Sequence, residues 1–361
     1  MWPGAPSRSG TRVYGGGYRR RVRARPEPSA SGTGPAAAIT FEGVAKTYPD
    51  GTQAVADLDL QVRPGELLVL VGPSGCGKST TMRMVNRLVD PTAGRVLLDG
   101  ADVAAADPVQ LRRGIGYVIQ NVGLFPHRTV GQNVATVPAL LGWDRARSQA
   151  RVSQMLELVG LPPDVYAGRY PHELSGGEQQ RVGVARALAA QPRILLMDEP
   201  FGAVDPVGRA RLQQELRGLH RQLAATVMFV THDIDEAMLL GDRVAVFSRG
   251  GHLEQVADPV TLLTRPATEF VRTFVGRGSA LRLLSLVTLT REGLEPTAAG
   301  VTGEPLPLGT SLAEAFAALA ANPQGRVAVT DETGAVVGSV TPAVIHRALS
   351  GAFADSGDVG V

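Results

Sequence analysis

Residues 72–79 read GPSGCGKS and follow the apolar run ELLVLV of residues 66–71. A strand, a glycine-rich loop and a helix opening near Lys78 form the order in which a phosphate-binding loop is built: Gly72, four residues, Gly77, Lys78, Ser79. Pro73, Ser74 and Cys76 fill the loop, and Thr80 follows it. Glycines at 72, 75 and 77 let the backbone turn its amides inward around phosphate oxygens, and the helix start adds the positive end of its dipole. Lys78 supplies a point charge to the outer phosphates, and Ser79 a hydroxyl to Mg²⁺. Lys46 and Lys78 are the only lysines, the remaining positive charge being arginine, and one of the two stands where the loop needs a slim ammonium on a flexible stem.

At 361 residues the chain has room for two domains, or one large domain with appendages. A hydrophobic content of 44% and a charged content of 19% describe a globular protein with a sizeable core. The formal net charge of +2 is too small to imply a nucleic-acid partner. Residues 1–38 nevertheless hold Arg8, Arg12, Arg19, Arg20, Arg21, Arg23 and Arg25 against Glu27, in a Gly-, Pro- and Ser-rich stretch without apolar periodicity. A disordered basic tail is expected there, either simply solvated or touching anionic lipid. With Cys76 as the single cysteine no intrachain disulfide can form, and a reducing compartment is the natural inference. The absence of a long apolar run predicts no membrane span, and the N-terminus lacks the apolar segment of a secretory signal; function inside the cell is expected.

From Ile39 the pattern changes. ITFEGVAKTY and QAVADLDLQV, joined at Pro49-Asp50-Gly51, predict two strands and a turn, and RVLLDG and IGYVI predict two more after an amphipathic helix carrying Met82, Met84, Val85 and Leu88. Residues from about 120 to 178 break the strand rhythm with helical segments around VGQNVATVPALL and RARSQARVSQMLELVG, an inserted helical subdomain. RILLM, TVMFV and RVAVF then alternate with helices around 206–222 and 233–240, the alternation expected of a parallel α/β sheet. Beyond Gly276 a small α/β module is expected over about 281–351: helical SLAEAFAALAA, strand-like GRVAVTD and AVVGSV, and helical PAVIHRALS.

Two further segments narrow the chemistry. RILLMDEP places Asp198 and Glu199 at the end of an apolar strand, where ligands meet α/β sheets. Asp198 can hold Mg²⁺, directly or through its water shell, and Glu199 can accept a proton from an attacking water. ELSGGEQQRVGVARAL opens a helix at Ser175-Gly176-Gly177, with a hydroxyl, close backbone amides and a helix N-terminus that make a second anion site.

Two such sites separated by a helical insertion resemble the ATP-binding subunit of an ABC transporter over about residues 39–276. The resemblance implies a P-loop ATPase domain with a parallel sheet core, an antiparallel β subdomain and the helical subdomain. It assigns Tyr48 to stacking on adenine, although an aromatic in a strand can equally be core. Gln120 becomes the glutamine linking Mg²⁺ and water to the membrane-facing subdomain, Leu174 to Glu178 the signature segment that contacts ATP on another subunit, and Asp205 the subunit-interface aspartate. Asp198 and Glu199 become metal contact and catalytic base, and His232 the histidine that reaches the γ-phosphate, or else a polar residue ending a strand. ATP and Mg²⁺ are the implied cofactors. A homodimer of ATPase subunits, transmembrane permease subunits and, indirectly, a solute-binding protein are the implied partners, with the chain peripheral on the cytoplasmic face of the membrane. Two positions depart from the pattern: Glu178 stands where such segments often have glutamine, bringing a carboxylate near a triphosphate, and Val204 where the interface loop often has leucine.

CGKSTTMRMVNRL, RYPHELSGG, MDEPFGAVDP and FVTHDIDEA look like importers of osmoprotectants such as glycine betaine, choline or carnitine. An ATPase importing another small solute, such as an amino acid or polyamine, is the neighbouring alternative. A soluble ABC ATPase acting on nucleic acid or ribosomes would usually show two fused halves or a long basic insertion. Residues 124–143 suit a groove for a permease helix, or the internal core of the subdomain. The C-terminal module resembles one CBS unit, with Ala343 where such units often carry an aspartate for ribose, and residues 281–300 look like a remnant of a second. It could pair across a dimer or serve as a stabilising cap.

Overall fold

Leu67–Val71, Ile194–Asp198 and Thr226–Thr231 are buried at every position and apolar except at Asp198, Thr226 and Thr231, which is how strands read when both faces of their sheet are covered. A computed structural model describes residues 36–354, apart from 121, 203, 205, 223–224, 277, 297–300 and 302. Its strands are β1 (Ile39–Thr47), β2 (Gln53–Val62), β3 (Leu67–Val71), β4 (Ala93–Leu98), β5 (Ala101–Asp102), β6 (Ile115–Val118), β7 (Ile194–Asp198), β8 (Thr226–Thr231), β9 (Arg243–Ser248), β10 (His252–Ala257), β11 (Leu306–Pro307), β12 (Val327–Thr330) and β13 (Val336–Val340). The helices of the first half are α1 (Lys78–Val85), α2 (Pro108–Arg113), α3 (Val130–Val134), α4 (Thr136–Leu140), α5 (Arg145–Leu158), α6 (Pro163–Tyr166) and α7 (Gly176–Leu188). Those of the second half are α8 (Pro206–Gln222), α9 (Ile234–Leu240), α10 (Pro259–Thr264), α11 (Glu269–Val275), α12 (Ser279–Leu286), α13 (Leu312–Ala321) and α14 (Pro342–Ala354).

The central sheet has the order β10-β9-β3-β8-β7-β6, parallel from β9 to β6 with β10 antiparallel at one edge. Period-two alternation sends Leu67, Val69, Met197 and Phe229 into one core, and Leu68, Leu70, Leu196 and Met228 into the other. The first core continues into α3, α5 and α7 and on to α9–α12. The second is closed by α1 and by an antiparallel sheet of order β2-β1-β4-β5. The α/β architecture expected for the ATPase domain is therefore present. No helix among the described residues is long and apolar enough to cross a membrane.

Some local expectations change. The helical segment over 130–141 divides into α3 and α4 at Ala135, because Pro138 has no N–H to give the Val134 carbonyl. β10 is an addition to the expected strands; Arg249, Gly250 (φ +85) and Gly251 (φ +75) form a three-residue loop that turns the chain back from β9 into it, a glycine-bearing hairpin signal present in the sequence. The basic tail lies outside the described residues up to position 35. Ala37 and Ala38, counted with it, instead belong to the body: Ala37 is buried, its carbonyl accepts from Thr226 Oγ1 at 2.6 Å, and Ala38 N–H donates to Asp99 at 2.8 Å.

In the C-terminal region β11-β12-β13 form a small sheet under α13 and α14, with a core that includes Leu289, Leu312, Val329, Val340 and Ile345. Ser311 caps α13 through a capping box with Glu314.

Candidate functional site

The loop between β3 and α1 is shaped by glycines, two of which leave no room for a side chain. Gly77, the cap of α1, has φ +96, and a Cβ there would stand 1.9 Å from the Ala54 carbonyl oxygen. A Cβ on Gly72 would stand 2.2 Å from the Phe247 carbonyl oxygen. Gly75 at φ +77 faces open space, so only its backbone conformation requires glycine. Within this turn the buried Lys78 donates from Nζ to the Gly72 and Pro73 carbonyls at 2.8 and 2.9 Å. Cys76 Sγ lies 3.6 Å from the same ammonium and, wholly buried, packs into the second core as a small apolar residue.

β7 and β8 deliver the acidic and imidazole groups to the same place, since parallel strands end their carboxyl termini on one edge. Ser79 Oγ donates to Asp198 Oδ1 at 2.7 Å, and Asp198 is almost wholly buried. Glu199 adopts φ +46, an uncommon conformation for a side-chain-bearing residue, with its N–H bonded to the Val230 carbonyl at 3.0 Å. Its Oε2 accepts from Gln120 Nε2 at 3.1 Å and lies 3.3 Å from His232 Nδ1. Tyr48 follows the last residue of β1, half-buried, with its hydroxyl 3.4 Å from Thr80 Oγ1 and its ring under the Lys46 ammonium. Tyr48, Ser74 to Thr80, Gln120, Glu199 and His232 thus line one open cleft of about 500 Å³.

Four participants were not foreseen. Thr52 and Ala54 line the same cleft from the β1–β2 side, a contact between distant segments with no local sequence signal. Arg83 Nη2 lies 3.5 Å from Asp198 Oδ2 and pairs with Tyr117, whose phenol burial pushes up. That position was legible: Ser79 and Arg83 are four apart on α1 and share a face.

The signature segment does not reach this cleft in the single chain. Leu174 is buried, Ser175 caps α7, and Gly176 and Gly177 open the helix. Glu178, expected as a carboxylate facing phosphate, is turned back on its own cap: Oε2 accepts from Ser175 N–H and Oγ, both at 2.8 Å, and Oε1 accepts from Tyr166 OH at 2.7 Å. The Tyr166 hydrogen bond, then those from Ser175, hold this carboxyl below the usual range. Val204 is buried beside Gly177 as ordinary packing. Asp205 lies outside the described residues.

The cleft fits a polyphosphate with a hard divalent cation. Its floor offers turned amides and one ammonium, and the Ser79–Asp198 pair offers two adjacent oxygens. No cluster of three or more His, Cys, Asp or Glu among the described residues could hold a metal by itself. That donor set suits Mg²⁺, which keeps several waters and takes other ligands from phosphate.

Residues 55–202 match the family described as ABC transporter. The chain is 51% identical over 239 residues to the choline transport ATP-binding protein OpuBA of Bacillus subtilis, covering 66% of this chain and 62% of that protein, so the match spans less than two thirds of its length. It is 47% identical over 291 residues to the osmoprotectant import ATP-binding protein OsmV of Salmonella typhimurium, covering 80% of this chain and 74% of OsmV. Among solved structures it is similar to the dimeric post-hydrolysis state of the ATP-binding cassette MJ0796 bound to ADP and Pi, with 32% identity and a TM-score of 0.56, covering 61% of this chain and 98% of that one.

Proposed function

This chain belongs to the ABC transporter ATP-binding family, and from that premise we propose that it is the ATP-hydrolysing subunit of an importer for osmoprotectants such as glycine betaine, choline or carnitine. The observation that carries the ATPase role is the convergence of Lys78, Ser79, Gln120, Glu199 and His232 on a single cleft, with the buried Asp198 bonded to Ser79 behind it. Lys78 and the amides of residues 74–80 bind the phosphates of ATP, and Tyr48 stacks on adenine. Ser79 and Asp198, with Gln120, hold Mg²⁺, which supplies charge neutralisation on the phosphates when bound. Glu199 accepts the proton of the attacking water, and His232 donates toward the outer phosphate.

The single chain holds only half of the machinery, because Ser175 to Glu178 lie away from this cleft. We infer a homodimer in which the signature segment of each copy, with Asp205, completes the partner's site. The dimer sits on the cytoplasmic face of the membrane against permease subunits, and a solute-binding protein acts at one remove. Residues 39–276 form the ATPase domain, with the helical subdomain over about 120–178, and 281–351 a single CBS-like unit. The osmoprotectant assignment draws its support from the names of the relatives.

The test is uptake of radiolabelled glycine betaine and choline at high osmolarity in cells lacking this gene and in cells carrying the Glu199→Gln chain. Loss of uptake in both is expected. Retained uptake in both sinks the osmoprotectant role, and points to another small solute if the purified chain still hydrolyses ATP.

A further inference from the structure

Helix α12 contributes to two cores at once. Leu283, fully buried, packs in the core under the central sheet, whereas Leu284 packs against the core of the C-terminal module. Between these attachments Arg282 reaches back to α9. Its Nε donates to Asp235 Oδ1, its Nη2 lies 3.4 Å from Asp235 Oδ2, and its Nη1 donates to the Val275 carbonyl at 2.5 Å. A planar guanidinium laid along a carboxylate fixes orientation as well as distance.

Asp235 sits in the first turn of α9, and the cap of that helix, Asp233, accepts from the N–H groups of Asp235 and Glu236. Asp233 directly follows His232, and its own N–H is tied to Thr231 Oγ1 at 3.0 Å. From the opposite side Arg209 of α8 lies 3.8 Å from the Asp233 carboxylate. Two arginines on different helices therefore clasp the two aspartates of one turn, and that turn presents His232 to Glu199.

We propose that Arg282 is a positioning residue for the hydrolytic site: through Asp235 it sets the start of α9, and with it the placement of His232. The proposal rests on the roles assigned above to Glu199 and His232. Asp235 is 66% exposed and Arg282 24%, so the pair adds little to global stability. Its effect is expected in geometry, where a small misplacement of a reacting group is costly.

The experiment compares Arg282→Gln, Asp235→Asn, the double variant and Arg282→Lys in the full chain. Expected are a roughly 10-fold fall in kcat with little change in KM, ADP affinity within about twofold of the parent because the phosphate loop is untouched, and partial recovery with lysine. The double variant should be no worse than the worse single, since both remove one interaction. Amide exchange reads the same clasp without turnover, and faster exchange in Arg282→Gln confined to residues 232–240 is expected. Additive losses in the double variant, or unchanged kcat together with unchanged exchange, overturn the proposal. A parent chain that fails to hydrolyse ATP counts against the ATPase role instead, and the exchange experiment still decides the clasp.

Discussion

Glu199 Oε2 lies 3.3 Å from Nδ1 of His232, and the same oxygen accepts the amide of Gln120 at 3.1 Å. Three segments far apart in the chain, following β6, β7 and β8, thus meet on a single oxygen at the carboxyl edge of one sheet. If Glu199 is the base proposed above, a carboxylate held from two sides is already oriented for proton abstraction and leaves little reorganisation for that step.

Glu199→Gln preserves shape and the contact with Gln120 while removing the proposed base. Steady-state ATP hydrolysis is expected to fall at least about 100-fold, with ATP affinity retained and an ATP-bound dimer accumulating in size-exclusion chromatography. Near-normal turnover would rule out Glu199 as the base.

Gly77→Ala and Gly75→Ala separate backbone conformation from collision. Both positions have positive φ, but only at 77 would a Cβ meet a carbonyl oxygen, at 1.9 Å. Urea unfolding should show a loss of about 1–2 kcal/mol for Gly75→Ala and roughly 2–3 kcal/mol more for Gly77→Ala. Equal losses would mean that the approach of Ala54 does not constrain the loop.

Glu178→Gln tests the turned-back carboxylate. Its folded-state pKa is lowered, first by Tyr166 and then by Ser175, so its contribution to stability is present above the usual glutamate range and lost as pH falls through the folded value. The variant keeps the capping geometry but loses the charge at the start of α7. At pH 7 it should be about 0.5–1 kcal/mol less stable, and the gap should close only as pH falls below the usual glutamate range. ATP affinity of the monomeric subunit is expected to stay unchanged, because this carboxylate does not line the cleft of its own chain.

Glu236→Gln has the opposite sign. Glu236 is buried, with Gln213 Nε2 donating to it at 2.9 Å, and burial raises its pKa. A raised carboxyl pKa means that the unfolded chain releases its proton first, so stability falls as pH climbs from the usual glutamate range to the folded value. The glutamine variant should flatten that slope and raise the thermal midpoint at pH 7 by roughly 1–3 °C. A lower midpoint at pH 7 would show that the ionised form is needed for packing.

Much of the architecture was legible because its signals are local. The apolar runs of β3, β7 and β8 are continuous, as buried parallel strands must be, and the glycine spacing of residues 72–77 admits few other conformations. Pro138 and the Gly250-Gly251 turn are equally local signals, and their consequences are a divided helix and an added edge strand. Arg83 was within reach by helical spacing from Ser79, whereas Thr52 and Ala54 were not, since nothing near them in sequence marks their approach to the phosphate loop.

By itself the amino-acid sequence determined the elements, their order and the chemical kinds of group available, because backbone conformation and side-chain periodicity are set within a few residues. Tertiary structure decided which of those groups meet. It placed Glu199 between Gln120 and His232, buried Cys76 behind the loop, turned Glu178 onto Ser175 and Tyr166, and left Ser175 to Gly177 outside the cleft. It also anchored α12 in two cores, bringing Arg282 to Asp235. Such encounters depend on how sheets and helices pack over long separations in the chain, and no local pattern encodes them.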